Sequence, residues 1–204
     1  MPLEINYTNA VVDIAKNNNM SVHVDGARIF NAAVATGSTV ADLTKNVDTV
    51  SFCLSKGLSA PSGSLLCGDK NFIHRARFNR KALGGGMRQA GILAAAGIVA
   101  IDIMSEKIIE DHLNAKALAG GIAKIDGIII ETEKINTNII YFKLDHPKVN
   151  SELLLETMGK KNIRFFELGP NWFRLVTHSG ISKENIDYVI GCLLYTSDAA
   201  DDLL

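Results

Sequence analysis

Two patterns of apolar positions alternate in the first half of the chain. Short apolar runs predict three β-strands, at 21–25, 47–54 and 64–67. The run at 47–54 is continuous, which is typical of parallel strands covered on both faces. Apolar stripes with helical spacing predict helices at 11–15 and 29–35. Strands and helices that alternate over short connections predict an α/β layer architecture.

A wholly helical stretch follows this α/β segment. Its periodicity predicts three helices, at 72–83, 89–104 and 106–124. The first is basic and amphipathic, and a triple glycine at 84–86 separates it from the second. The second is apolar all round, and its weakly charged part is too short for the roughly 20 residues that a bilayer span needs. We therefore expect a buried helix there and no membrane span.

The pattern changes again at Gly127. Beyond it, four strands are predicted at 128–130, 139–142, 163–166 and 172–176. Two helices are predicted at 151–160 and 182–193, so the order is strand, strand, helix, strand, strand, helix. Ser151 and Ser182 are the expected N-caps of the two helices. This order predicts a small α+β domain at 127–194, preceded by a first domain at 1–126. Residues 195–204 continue no periodicity, and we expect them to be a non-native tail.

Composition narrows the function classes. The chain has 204 residues, a net charge of -1 and 47% hydrophobic residues, so it can bury a core but predicts no basic face for nucleic acid. Its three cysteines are an odd number and suggest free thiols in a reducing compartment. With no secretory signal at 1–20, we expect a cytoplasmic protein. Histidines and cysteines lack metal-ligand spacing, so no metal site is predicted.

Two strand ends carry the candidate chemistry. The strand at 47–54 runs into Ser55, Lys56 and Gly57, where a lysine can lie at the mouth of an α/β sheet. Desolvation there would lower the pKa of the amine, as a Schiff-base lysine requires. Asp25 ends the strand at 21–25 in the same way, which suggests one shared site. The alternatives are a surface lysine and an aspartate that caps the next helix.

Three sequence blocks together resemble a known family. They are HVDGARIFNAA at 23–33, SFCLSKGLSAPSGS at 51–64 and GGGMRQAG at 84–91. In order and spacing they resemble the threonine aldolase family of pyridoxal-phosphate (PLP) enzymes, within the fold-type-I and β-eliminating-lyase group. The resemblance implies that 1–126 is the C-terminal part of a PLP-binding large domain, with a mostly parallel sheet and helices. The small α+β domain then follows it.

The resemblance also implies residue roles in the first domain. Lys56 would bind PLP covalently as an aldimine, and Asp25 would pair with the ring nitrogen. Arg28 would approach the phenolic oxygen of the cofactor, unless it forms an ordinary surface salt bridge. Ser55 would reach the phosphate or simply satisfy the turn.

Three further cations are candidate substrate-binding residues. Arg174 resembles the small-domain arginine that binds the substrate carboxylate, which a planar guanidinium can do with two hydrogen bonds. Lys81 and Arg88 flank the triple glycine, and the resemblance implies positions near the active site, either of the same subunit or of a neighbouring one. The alternatives are an outward strand residue and ordinary surface charges. His178 is given no role.

The implied reaction is cleavage of a β-hydroxy-α-amino acid, such as L-threonine or L-allo-threonine, to glycine and an aldehyde. The resemblance also implies that the full-length protein binds this small-molecule substrate as a homo-oligomer, a dimer or a tetramer. A β-eliminating lyase, aminotransferase or racemase on the same fold is one alternative, and a non-catalytic fragment is another. The family's phosphate cradle and ring-stacking histidine have no counterpart in this sequence, so we expect little or no activity from the chain alone.

Overall fold

The computed structural model of the chain describes residues 1–201, with side chains described as far as Thr196. Its helices are α1 Ile5–Asn17, α2 Ile29–Thr36, α3 Val40–Thr44, α4 Lys70–Ala82, α5 Gly91–Val99, α6 Ser105–Ile122, α7 Ser151–Lys160 and α8 Lys183–Asp201. Its strands are β1 His23–Asp25, β2 Thr49–Cys53, β3 Ser64–Cys67, β4 Ile128–Ile129, β5 Ile139–Leu144, β6 Phe166–Gly169 and β7 Trp172–Val176. Among the helices described, none combines the length and apolar content that crossing a bilayer requires.

The chain divides into two compact units. The division falls between Ile108 and Ile109, inside helix α6. The N-terminal unit holds the first three strands, and the C-terminal unit holds the other four. The domain boundary expected at residue 126 stays a prediction.

The sheet of the N-terminal unit has the order β1-β2-β3. β1 pairs parallel with β2, and β3 pairs antiparallel with β2. The predicted α/β class is therefore confirmed, and the strands described here form a mixed sheet. The antiparallel return follows from the short connection between Cys53 and Ser64, since a parallel crossover needs a dozen or more residues.

One face of this sheet is apolar and packs against helices. Ile29 and Ala33 of α2 and Leu43 of α3 are buried together, and Val24 and Val50 of the sheet pack against them. The sequence prediction missed α3. Its signal was a capping box, in which Thr39 and Asp42 each accept a hydrogen bond from the other's backbone N–H.

The helix expected to be buried at 89–104 is largely exposed. Ile92 is 77% exposed and Ile98 is 61% exposed, so the expectation of a buried helix was wrong. Gly97 and Ala100 are buried, because that face of the helix lies against Leu54. A π-helical turn at Ala100–Met104 joins α5 to α6, so the two predicted helices form one continuous segment.

The C-terminal unit is an antiparallel sheet of order β4-β5-β7-β6 with helices packed against one face. Phe142 and Phe173 are fully buried and stack with ring centroids 5.1 Å apart. Phe165 meets the edge of Phe173 at 5.6 Å. This aromatic cluster belongs to the larger core, to which α6, α7, α8 and the strands contribute aliphatic residues.

Three predicted boundaries in this unit differ from the structure. Asn150, not Ser151, caps α7, because its side chain accepts a hydrogen bond from the N–H of Leu153. The strand expected at 163–166 lies at Phe166–Gly169, where it can pair with β7. Helix α8 continues past the expected end at 193 to Asp201. The expected tail at 195–204 extends beyond the described residues, and its non-native origin stays a prediction.

Truncating Phe173 tests the aromatic core. We expect Phe173→Ala to lower the free energy of unfolding by about 3–5 kcal/mol, because it leaves a cavity between Phe142 and Phe165. Urea unfolding measures the change. Its neighbour Trp172, which is 48% exposed, gives the control variant Trp172→Ala, expected to cost less than about 1 kcal/mol. Equal losses in the two variants would contradict this account of the core.

Candidate active site

The parallel pairing of β1 and β2 brings their carboxyl ends to one edge of the sheet. Asp25, the last residue of β1, lies opposite Ser51 of β2. The backbone continues the pairing, since the N–H of Gly26 donates to the carbonyl oxygen of Ser51 at 2.8 Å. Asp25 Oδ1 accepts a hydrogen bond from the N–H of Ala27 at 3.2 Å. The carboxylate is otherwise exposed and can accept further hydrogen bonds.

The segment after β2 is a loop closed by its own backbone. The N–H of Leu54 donates to the carbonyl oxygen of Gly63, and the N–H of Ala60 donates to the carbonyl oxygen of Leu54, each at 2.9 Å. Ser59, with φ 60°, is left-handed and closes a turn by donating its N–H to the carbonyl of Lys56 at 2.9 Å. The loop therefore holds the backbone of Lys56 in one position near the end of β2.

Apolar residues anchor this loop beneath its polar ones. Leu54, Leu58 and Ala60 are buried in a small cluster of their own. Ser55 and Lys56 lie on the outer side and are exposed. Residues 2–108 thus do not supply the desolvation of the Lys56 amine that the sequence suggested.

Gly57 connects the loop to helix α2. A Cβ built on Gly57 would lie 2.4 Å from the side-chain oxygen of Asn31, which is only 2% exposed. Only a residue without a Cβ lets the loop approach the helix this closely. The glycine after Lys56 therefore positions the lysine against the helix that begins after Arg28.

Arg28 precedes the first turn of α2 and is half-buried. Its Nε is buried without a hydrogen-bond partner among the described residues. A buried donor left unpaired costs about 1–3 kcal/mol, and buried polar groups are almost always paired. The site therefore has an unused donor that an anionic oxygen of a bound group would satisfy.

Arg174 shows the same feature in the C-terminal unit. It lies on β7, opposite Tyr141 of β5 and Phe166 of β6, and its guanidinium carbon is 5.7 Å from the centroid of the Phe166 ring. Its Nε is also buried without a partner in the described part of the chain. The aromatic face orients the guanidinium, and the free donor leaves it able to bind an anion.

Lys81 and Arg88 are both exposed. Lys81 is in the last turn of α4, and its side chain packs against Gly86. Neither residue forms a hydrogen bond or ion pair with Asp25 within the described chain. The predicted residues of the first unit therefore fall into two sets. Asp25, Arg28, Ser55 and Lys56 lie at or follow the carboxyl ends of β1 and β2, and Lys81 and Arg88 lie at and after the C-terminal end of α4.

The sequence prediction missed one perturbed carboxyl group, Asp111 of α6. Asp111 is 5% exposed, and its burial raises the pKa to about 6 although the charge of His178 opposes the shift. Beside it, burial and the charge of Lys116 lower the pKa of His112. The available signal was a charged residue within the apolar stripe of an amphipathic helix. Among the described residues, no group of three or more metal-ligating side chains is found.

The chain belongs to the beta-eliminating lyase family, whose family model matches residues 1–145. A low-specificity L-threonine aldolase of Arabidopsis thaliana is 39% identical over 191 residues, which are 93% of this chain and 53% of that protein. The low specificity L-threonine aldolase of Escherichia coli K12 is 39% identical over 180 residues, 88% of this chain and 52% of that protein. The chain thus spans about half the length of the curated relatives it matches.

Solved structures give the same fold. A Leishmania major threonine aldolase matches 98% of this chain and 56% of its own length, with a TM-score of 0.71 at 16% identity. A structure of SPT with PLP matches 95% of this chain and 51% of its own length, with a TM-score of 0.70 at 18% identity. The chain has the fold of fold-type-I PLP enzymes, as the sequence predicted.

The contact between Gly57 and Asn31 can be tested by adding a methyl group. We expect Gly57→Ala to lower the free energy of unfolding of the N-terminal unit by about 1–3 kcal/mol, because Asn31 or the loop must move. Gly91→Ala is the control, since nothing lies within 4 Å of its added Cβ. A Gly57→Ala chain as stable as the control in urea unfolding would refute the close approach.

Asp111 predicts a pH dependence of stability. Its pKa is raised from 3.8 to about 6 in the folded chain, so the folded state binds the proton more tightly. The stabilisation that protonated Asp111 contributes is therefore fully present below the unfolded pKa and is lost as the pH rises through about 6, by about 3 kcal/mol. Asp111→Asn removes the effect, so its advantage over the unmodified chain grows between about pH 4 and pH 7.5.

Urea unfolding at the two pH values measures this change. Glu106→Gln, an exposed carboxyl change on the same helix, is the control and should show no such trend. The prediction is contradicted if the difference in free energy of unfolding between Asp111→Asn and the unmodified chain stays the same at both pH values.

Proposed function

We propose that this chain carries the lysine-bearing part of a PLP-dependent aldolase that cleaves β-hydroxy-α-amino acids, with L-threonine and L-allo-threonine as substrates. The observation that carries the proposal is the strand edge where Asp25 and the Lys56 loop follow two adjacent parallel strands. The names of the Arabidopsis and Escherichia coli relatives support the reaction class.

The residues at this edge fit the chemical groups of PLP. The unpaired Nε of Arg28 is a buried cationic donor, which suits the phenolic oxygen of the cofactor. The exposed carboxylate of Asp25 accepts hydrogen bonds and suits a protonated ring nitrogen. Lys56 offers a primary amine to the aldehyde, and the hydroxyl of Ser55 is available to the phosphate. PLP, when bound, supplies an electron sink for negative charge at the substrate Cα.

The remaining roles belong to side chains that handle substrate. Arg174 binds the α-carboxylate and thereby orients the substrate, which decides which bond at Cα is broken. Lys81 and Arg88 add positive charge near the triple glycine and serve a site in a homo-oligomer. During cleavage the Cα–Cβ bond breaks, the β-hydroxyl loses its proton and Cα gains one. Threonine thus yields glycine and acetaldehyde with no further reactant.

A second reaction class rests on one relative. An alanine racemase of Cochliobolus carbonum is 38% identical over 192 residues, 87% of this chain and 46% of that protein. Asp25, Arg28 and Lys56 would serve a racemase equally well, because all of these reactions begin by weakening a bond at Cα. Release of glycine from threonine, rather than D-alanine from L-alanine, distinguishes the two in the whole protein.

The cellular location is also part of the proposal. The three cysteines Cys53, Cys67 and Cys192 are free thiols. Free thiols are typical of a reducing compartment, which supports the cytoplasm.

Covalent capture tests the lysine. The chain is incubated with PLP and reduced with borohydride, and the labelled peptides are mapped by mass spectrometry. We expect one predominant label at Lys56, because its loop holds the lysine backbone after β2, the strand that pairs with the one ending in Asp25. Lys56→Ala should lose this label, and Lys45→Ala, an exposed lysine change in the same unit, should keep it. Label scattered over many lysines would reject the proposal and favour a non-catalytic chain.

A further inference from the structure

An imidazole bridges the two strands on the same face as Asp25. His23 begins β1, and since side chains alternate along a strand, His23 and Asp25 share a face while Val24 lies on the other. His23 Nδ1 is hydrogen-bonded to Thr49 Oγ1 at 2.9 Å, and its Nε2 is hydrogen-bonded to Ser51 Oγ at 3.3 Å. Both ring nitrogens therefore contact β2.

The register connects this bridge to Asp25. His23 lies opposite Thr49, and Asp25 lies opposite Ser51. Ser51 is therefore both the cross-strand neighbour of Asp25 and the partner of His23 Nε2. Because they are paired residues, Asp25 and Ser51 extend their side chains from adjacent strands on the same face of the sheet.

β1 needs such a support because it is short. It has three residues and pairs with one strand among those described. Within the described part of the chain, the Asp25 side chain accepts one hydrogen bond, from the N–H of Ala27. The direction of its carboxylate thus depends on how firmly β1 keeps its register against β2.

The bridge suits this task chemically. Hydroxyl groups both donate and accept, so Thr49 and Ser51 can match either neutral tautomer of His23 as well as its protonated form. The two hydrogen bonds therefore persist whichever ring nitrogen carries the proton.

From these contacts we propose that His23 is a positioning residue, which through Thr49 and Ser51 holds Asp25 in place for the ring nitrogen of PLP. This inference rests on the proposed function. It assigns no contact between His23 and the cofactor. It predicts that His23 acts on cofactor binding only while Asp25 is present.

A double-mutant cycle tests the proposal. PLP affinity is measured from the borohydride-captured fraction at Lys56 as PLP is titrated, for the unmodified chain, His23→Ala, Asp25→Asn and the double variant. We expect His23→Ala to weaken binding about fivefold to tenfold, the value of one or two hydrogen bonds. In the Asp25→Asn background the same change should have less than about a twofold effect. The proposal is overturned if His23→Ala lowers the PLP affinity equally with and without Asp25→Asn, or lowers it in neither case.

Conservative variants separate positioning from folding. Gln places its amide nitrogen near the position of Nε2, and Asn places it near Nδ1. We therefore expect His23→Gln, which keeps the Ser51 contact, to bind PLP more tightly than His23→Asn. Ser51→Ala removes one hydroxyl with little structural cost and should reproduce most of the His23→Ala loss. If His23→Asn binds PLP as tightly as His23→Gln, or if Ser51→Ala leaves the PLP affinity unchanged, His23 does not act through Ser51.

Two controls complete the design. His74→Ala changes an exposed histidine of α4 and should leave PLP affinity unchanged. Urea unfolding of each variant shows whether a lost affinity merely follows a lost fold, which would count against positioning. If the unmodified chain shows no capture at Lys56, the proposed function itself fails, and this inference fails with it. If Lys56 is captured and His23→Ala leaves the PLP affinity unchanged, the positioning role of His23 is rejected while the proposed function stands.

Discussion

The parallel pairing of β1 with β2 is the constraint on which the N-terminal unit depends. It puts Asp25 opposite Ser51 and sends both strands toward the same edge of the sheet. Parallel strands need a crossover between them, and α2 and α3 supply it while covering the apolar face. A shift of one residue in this register would turn Asp25 to the apolar face, where its charge would lie among hydrophobic side chains.

The opposite face of the same sheet carries polar side chains. One face therefore stabilises the fold, and the other presents candidate site residues. Val24 and Val50 stabilise the packing with the helices, whereas on the other face His23 and Ser51 bond to each other and the Asp25 carboxylate remains available to a polar group. The loop after β2 repeats the arrangement on a smaller scale, because Leu54 and Leu58 anchor it and Lys56 stays outside. In both places burial of apolar neighbours orders a reactive group without covering it.

The C-terminal unit presents its candidate residue differently. Phe173 and Leu175 alternate with Arg174 along β7, so the buried phenylalanine cluster fixes the strand on which the arginine lies. The guanidinium is then oriented by the exposed ring of Phe166 and keeps an unsatisfied Nε. An unpaired buried donor reduces stability, so its occurrence at Arg28 and again at Arg174, the two such side chains found among the described residues, is informative.

The sequence by itself determined the α/β class, most of the strands and the residue blocks around Asp25 and Lys56, because local periodicity and short motifs are written in neighbouring residues. The sequence prediction was wrong about the burial of the helix at 89–104, the position of β6 and the residue that caps α7. Burial and strand pairing depend on distant partners, which periodicity does not identify. Only the tertiary structure decided that β3 runs antiparallel, that Asn31 requires a glycine at position 57, and that His23 reaches two hydroxyls of β2. Those contacts join residues far apart in the chain, and their geometry exists only once the strands and helices have packed.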